Sequence, residues 1–311
     1  GFATPDFCLL SGAAYDLDDA GRKRRALDAI DNLVRLSGRG LGDPLNPLLI
    51  AMRFAMPQYI PGFMPTWLNV GLTPEMLPEL PTRYGMRAAA RIRLNSRKTL
   101  LETLDPDAAR TFFQEVQAAG EPDTVHALAA RIEDAIAARD PALLRDPKRQ
   151  ILYLLKRAYT YYDTHLDTLR SFMGGRADRP TMIFQRMVCS ALDDQSYAGV
   201  LYSRHPRTGV GVHLQVARGT WGEDLMTGHL RPERIDLAQR EEAREAFPAV
   251  YHFWPRIAAL EAFFEAPVII EFTGVHVLDS DVFDEEEHAG EAIGDEAVLF
   301  GSADGYVYCL R

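Results

Sequence analysis

The apolar positions of this chain change period several times, and each change marks an expected element. Residues 16–36 repeat their apolar side chains every three or four positions, which predicts an amphipathic helix from Asp16 to Leu36. NPLLIAM, behind Pro47, is a short continuous apolar run long enough for one buried strand, with Arg53 at its end. Met86 to Met173 return to helical spacing in TLLETL, ARTFFQEVQ, TVHALAARIEDAIAA and RQILYLLKRAYTYYDTHLDTLRSF, broken at Asp105-Pro106, Glu121-Pro122 and Asp140-Pro141. From Arg179 the period shortens to that of strands. TMIFQRMVCSALDDQSYAGVLYSRHPRTGVGVHLQVARG predicts three antiparallel strands joined at Asp193-Asp194 and at Pro206 to Gly209. Pro255 to Glu265 is expected to be a helix, PVIIEFTGVHVL a tight hairpin, and AVLFGSADGYVYCLR a second hairpin around Asp304-Gly305. The opening GFATPDFCLL predicts a turn leading into a helix start.

Between the first strand and the helical region lies RFAMPQYIPGFMPTWLNVGL, Arg53 to Leu72, which fits neither period. Pro57, Pro61, Gly62 and Pro65 exclude a regular element, yet Met56, Phe63, Met64 and Trp67 are too apolar for a solvated loop, so the segment should pack over a ligand or another domain. An arginine at its entry is either a strand-end residue with its head in solvent or a planar guanidinium aimed at phosphate or carboxylate oxygens.

Composition narrows the classes. With 311 residues, 47% hydrophobic and 25% charged, the chain can bury a sizeable core and divide into two or three subdomains. A formal net charge of -10 with no basic run beyond Arg22 to Arg25 argues against a nucleic-acid surface. No apolar run approaches about 18 residues and no charged-then-apolar leader opens the chain, so neither a membrane span nor a signal peptide is expected. Cys8, Cys189 and Cys309 form no CxxC pair, which suggests neither a disulfide framework nor a zinc site and fits a reducing cytoplasm. Tyr159, Tyr161, Tyr162 and His165 cluster at helical spacing and read as packing. P-loop, GxSxG, HExxH and GxGxxG signatures are absent from the sequence.

The Arg53 segment resembles the loop of the nucleotide-binding domains of pyruvate phosphate dikinase and phosphoenolpyruvate synthase that reads R-S-G-A-x-x-S-M-P-G-M-M-D-T-x-L-N-L-G-L. Arg53, Pro61, Gly62, Met64, Thr66, Leu68, Asn69, Gly71 and Leu72 match it without a gap. GFATPDFCLLSGAAY is similar to the family's P-P-G-F-T-[IL]-T-T-E-A. Gln185-Arg186-Met187-Val188 matches V-Q-x-M-V, a strand that lines an adenine slot in the family, and Gly199 to Pro206 matches G-V-x-F-[ST]-R-[DN]-P. Thr220 to Gly228 resembles G-x-G-E-D-[VL]-[VM]-x-G, and PVIIEFTGVHVL resembles the D-I-E-F-T hairpin that ends in Q-T-R. The resemblance covers roughly residues 1 to 281 and one half-reaction of the family; the phosphocarrier histidine setting T-[SC]-H and the substrate barrel have no counterpart here.

What the resemblance implies is an α+β, ATP-grasp-like two-lobed nucleotide-binding fold with a mostly helical insertion. Residues 1–85 would form an α/β lobe, 86–178 the helical subdomain, 179–281 a β-rich lobe, and 282–311 an acidic linker with a hairpin. The cofactors would be ATP and Mg²⁺. Arg53 would grip phosphates as the catalytic residue, and Met64, Thr66, Gln185, Arg186, Met187, Val188, Arg204 and Glu223 would line the nucleotide site. Glu271 and Asp279 would hold metal. Arg204 has an alternative role as a brace of the turn at Pro206, and Glu223 as a capping or pairing group. The implied activity is phosphoryl transfer from Mg-ATP to a histidine on another domain or protein.

Departures favour an alternative, a catalytically degenerate nucleotide-sensing or structural module on the same fold. Phe54-Ala55 replace Ser-Gly, Ile60 and Pro65 replace the Met and the acidic residue of the loop, and Thr220 replaces a glycine. Ile269 stands where an acidic metal partner is expected, and Asp279-Ser280-Asp281 stand where Gln-Thr-Arg should follow. Exchanging a cation for aspartate inverts the charge beside a triphosphate. The family's upstream Gly-Lys element would precede Gly1.

Overall fold

The computed structural model describes residues 5–55, 64–172, 174–175, 179–222, 225, 231–236, 247–274, 296–302 and 307–308. Its contacts divide the described residues into two units, 6–55 with 64–187, and 188 onward with residue 5.

In the first unit, β1 (Phe7–Leu10), β2 (Ile50–Ala55), β3 (Thr66–Val70) and β4 (Thr181–Arg186) form an antiparallel sheet in the order β1-β4-β2-β3. Its helices are α1 (Asp19–Ser37), α2 (Leu80–Leu104), α3 (Pro106–Ala118), α4 (Pro122–Ala137), α5 (Ala142–Arg145), α6 (Pro147–Thr164) and α7 (Leu166–Phe172). Local chemistry sets the ends of these helices. Asp18, Asp105 and Asp146 each accept a hydrogen bond from a backbone N–H of the first turn, at Gly21, Ala108 and Arg149, and Pro106 and Pro147 take the first helical position where no donor is needed. Gly38, at φ 64°, closes α1, and α2 is broken near its start by Gly85, at φ 76° and ψ 157°. One sheet face, with Leu10, Ile50, Met52, Trp67, Val70, Met182 and Phe184, joins Ile30, Leu33, Leu94, Leu128 and Leu154 of the helices in a continuous core.

The opening departs from expectation. Phe7–Leu10 is a strand rather than a helix start, followed by a short 3₁₀ turn at Gly12–Asp16. Thr181–Arg186 does not begin a three-stranded meander. It lies between β1 and β2, pairing Phe7 with Gln185 on one side and Ala51 with Gln185 on the other. Strand propensity gives an element without its neighbours, and here the partners come from more than 120 positions away.

In the second unit, β5 (Tyr197–Tyr202), β6 (His213–Arg218), β7 (Glu233–Asp236), β8 (Val268–Gly274), β9 (Glu296–Ser302) and β10 (Val307–Tyr308) form an antiparallel sheet in the order β10-β9-β8-β5-β6-β7, with the helix α8 (Pro248–Phe264) before β8. The expected terminal hairpin is present as β9 and β10, and β9 extends the sheet beside β8. Two glycines let aromatic rings lie flat on the strands. A Cβ on Gly199 would sit 2.2 Å from the Phe272 ring, and one on Gly274 would sit 2.1 Å from the Tyr197 ring.

Candidate functional site

Arg53 lies inside β2, with two further strand residues after it, and its register partners are Thr66 on β3 and Ile183 on β4. Side chains of directly opposed residues share a sheet face, so Arg53 and Thr66 are neighbours. Ala51, two positions back, is opposite Gln185, which places Gln185 on that same face. Met52, Trp67 and Phe184 point the other way, into the core. The structure therefore brings together three of the residues singled out in the sequence: a half-buried arginine, an exposed threonine hydroxyl and a buried amide. Met64, just before β3, packs against the Tyr162–Leu169 cluster together with Tyr15 and Leu166.

Arg186 belongs to the opposite face, opposite Ile50, and is paired with Asp6 at 3.2 Å. Its N–H donates to the Asp6 carbonyl at 2.9 Å, and the Met187 N–H donates to the Leu49 carbonyl at 2.8 Å. Main-chain groups here serve strand pairing as far as Met187. Val188 follows, half-buried, and then Cys189, whose thiol burial pushes up to about 12.

The remaining residues lie in the second unit. Arg204, at the end of β5, makes a two-pronged ion pair with Glu261 of α8, Nε and Nη2 each 2.8 Å from a carboxylate oxygen. The Ser203 hydroxyl donates to the same carboxylate at 2.6 Å and accepts the Val268 N–H at 2.8 Å. Hydrogen bonding from Arg204 holds the Glu261 carboxyl below its ordinary range, with the Ser203 hydroxyl adding to it. Of the two roles open to Arg204, bracing is the one its contacts display: it ties β5 to α8. His205 stands where the family pattern has Asp or Asn, and its Nδ1 accepts the N–H groups of Arg207 (3.1 Å) and Thr208 (3.3 Å), the work an Asx side chain does in such a turn.

Glu271 lies on β8, opposite Val200 of β5 and Leu299 of β9. Gln215 and Arg234 continue the same row across β6 and β7. Among the described residues no group of three or more His, Cys, Asp and Glu side chains is arranged to hold a metal ion. Asp279 and Glu223 lie outside the described residues. One carboxylate suits Mg²⁺ only in the way that ion usually binds, with water and phosphate oxygens completing its shell.

The second half of the Arg53–Leu72 segment is a buried clamp, which the sequence reading passed over. A bulge in β3 opposite Ala51 puts Asn69 at φ 54° and leads to Gly71 at φ 100°. Gln150 of α6 accepts the Gly71 N–H and donates to the Leu72 carbonyl, both at 2.9 Å, and Arg97 of α2 donates to the same carbonyl at 3.0 Å. Arg97 is fully buried and pairs with Glu133 of α4 at 2.7 Å. Burial pulls the Arg97 guanidinium down and Glu133 opposes it; burial pushes Glu133 up, but Arg93 and Arg97 more than offset this and hold its carboxyl below the ordinary range. A signal was available: Ala90, Leu94, Arg97 and Leu101 follow helical spacing, so a charged residue occupies an apolar stripe.

No protein-family model matches the chain. The chain is similar to pyruvate, phosphate dikinases. It is 25% identical over 294 residues to pyruvate, phosphate dikinase 2 of Zea mays, covering 86% of this chain and 32% of that protein. Pyruvate, phosphate dikinase 1, chloroplastic, of Oryza sativa subsp. japonica is 26% identical over 257 residues, 75% of this chain and 26% of its own length. The Rhizobium meliloti (strain 1021) pyruvate, phosphate dikinase is 24% identical over 261 residues, with 77% and 28% covered. The chain thus spans about a third or less of the length of the dikinases it matches. Its mixed helix and strand content agrees with the expected α+β class. Among the described residues no helix is long and apolar enough to cross a membrane.

Proposed function

We propose that this chain is an ATP-binding phosphotransferase domain of the pyruvate phosphate dikinase type, passing a phosphoryl group from Mg-ATP to a histidine on another domain or protein. The observation that carries this reading is the juxtaposition of Arg53, Thr66 and Gln185 on one face of the first sheet, in a chain similar to dikinases over most of its length. A guanidinium beside a hydroxyl offers oriented donors to phosphate oxygens, and such catalysis is mainly positioning and charge neutralisation. Met187 and Val188, at the end of β4, are the proposed adenine-side residues, and Glu271 is the proposed Mg²⁺ ligand. Bound Mg²⁺ would neutralise phosphate charge.

One specific observation favours the second reading, a nucleotide-sensing or structural module. Several positions that carry the resemblance have structural duties: Asn69 and Gly71 shape a turn, Leu72 is clamped, Gly199 seats Phe272, and Arg204 is engaged with Glu261. Those residues would preserve the resemblance without phosphoryl transfer.

Titration calorimetry with ATP, with and without Mg²⁺, on the wild type and on Arg53→Ala separates the two. Loss of one charge-assisted phosphate contact costs about 1.5–3 kcal/mol, or roughly ten- to a hundredfold in affinity. Metal-dependent binding that weakens by that factor in Arg53→Ala, with labelled phosphate reaching an acceptor histidine, is the expected result. Binding without transfer would support the sensor, and an absence of binding at millimolar ATP would support the structural module.

A further inference from the structure

Three side chains at the β3–α2 junction are buried with polar atoms that no protein group pairs. Asn69 is 1% exposed with neither Oδ1 nor Nδ2 hydrogen-bonded, Ser96 is 1% exposed with its Oγ unpaired, and Arg97 is fully buried with Nη2 unpaired. Reversing the Asn69 amide does not help, because both of its ends are unpaired. Native interiors rarely leave such groups alone, since a buried donor or acceptor without a partner forfeits its hydration.

All three residues lie along the stretch where the β3 segment runs beside α2. Trp67 Nε1 donates to Thr103 Oγ1 at 2.9 Å, and Arg97 Nη1 donates to the Leu72 carbonyl at 3.0 Å, so β3 runs antiparallel along α2 between these two anchor points. Asn69 lies in β3, between Trp67 and Leu72 along the chain. Ser96 falls seven positions before Thr103 on the helix, two turns away on the same stripe.

We infer that Asn69, Ser96 and Arg97 enclose an internal water site that joins β3 to α2. The chemistry selects water over an anion or a cation. Arg97 Nη2 and Asn69 Nδ2 offer only donors, Asn69 Oδ1 only accepts, and Ser96 does either, so a guest must accept and donate together. An anion would leave Asn69 Oδ1 unpaired, and a cation would face the Arg97 guanidinium. Buried waters typically make about three hydrogen bonds to such groups. The inference stands apart from nucleotide binding: it gives the asparagine of the N-x-G-L element a role in holding the bulged strand to its helix.

A crystal structure at a resolution that shows ordered solvent tests this directly. A solvent peak within hydrogen-bond distance of the Asn69 amide and of Ser96 Oγ or Arg97 Nη2 is expected. A direct protein partner for the amide, or no peak, overturns the inference. Thermal melts of Asn69→Gly, Ser96→Ala and the double variant add a second arm. Glycine removes the amide yet suits the positive φ, so misfolding from backbone strain is avoided. If the two residues share a water, the double variant melts little below the worse single variant; fully additive losses would show that each residue acts alone and overturn the shared site.

Discussion

Replacing Gly199 by alanine tests the packing of the second sheet, because the added Cβ would lie 2.2 Å from Phe272 Cζ and 2.7 and 2.8 Å from its two Cε atoms. Phe272 cannot swing aside cheaply: it is 4% exposed, and its ring meets Tyr197 edge-on at 6.3 Å in the core that also holds Phe247, Ile257 and Ile270. Forcing one extra carbon into such a core costs about 1–3 kcal/mol, while the stiffer unfolded chain returns about 0.4–1 kcal/mol. The net loss should be about 1–2 kcal/mol, which corresponds to roughly five- to thirtyfold faster amide exchange in β5 and β8 when opening is at equilibrium. Hydrogen exchange by mass spectrometry reads this, with Gly120→Ala as a control, since a Cβ there meets nothing within 4 Å. Pairing Gly199→Ala with Phe272→Leu should recover part of the loss. If Gly199→Ala exchanges at the wild-type rate, the ring does not rest on the glycine and the reasoning fails.

Further outcomes follow from the clamps and the buried thiol. Gln150→Leu should lower the melting temperature by stranding the Gly71 N–H, a cost of about 1–3 kcal/mol; an unchanged melt would mean the turn finds another partner. Arg204→Ala should lower the urea midpoint near neutral pH, and the gap to wild type should narrow in acid. The Glu261 carboxyl is held below its ordinary 4.5, so the pair's contribution is complete above that value and is lost as pH falls through the lowered one. A gap that stays constant into strong acid would refute the pairing. Cys189 should resist iodoacetamide at mildly alkaline pH until the chain is denatured, its thiol lying at about 12; rapid labelling of the native protein, located by peptide mapping, would contradict its burial.

The helical half was legible because its punctuation is local: Asp105-Pro106 both ends one helix and caps the next, so one dipeptide fixes the boundary. The partners of Thr181–Arg186 were not legible, since alternation along a strand says which face is apolar and nothing about which strand lies beside it. Among the site residues, the Arg53–Thr66 pairing needs the β2–β3 register, which a bulge at Asn69 shifts by one, and no periodicity announces that shift. Arg204 was ambiguous for a different reason. A phosphate and a glutamate ask the same geometry of a guanidinium, and only the position of Glu261, 57 residues on, distinguishes them.

The strand order β1-β4-β2-β3 also dictates a sequence of events during synthesis. β1, β2 and β3 emerge early, but the strand that separates β1 from β2 arrives only after the whole helical stretch, roughly 110 residues later, or on the order of 6–20 s at ordinary translation speeds. Throughout that interval the nascent chain must carry the facing edges of β1 and β2 unpaired, open to other strands. Any fragment cut before Thr181 keeps those edges permanently, and should aggregate however well its helices form.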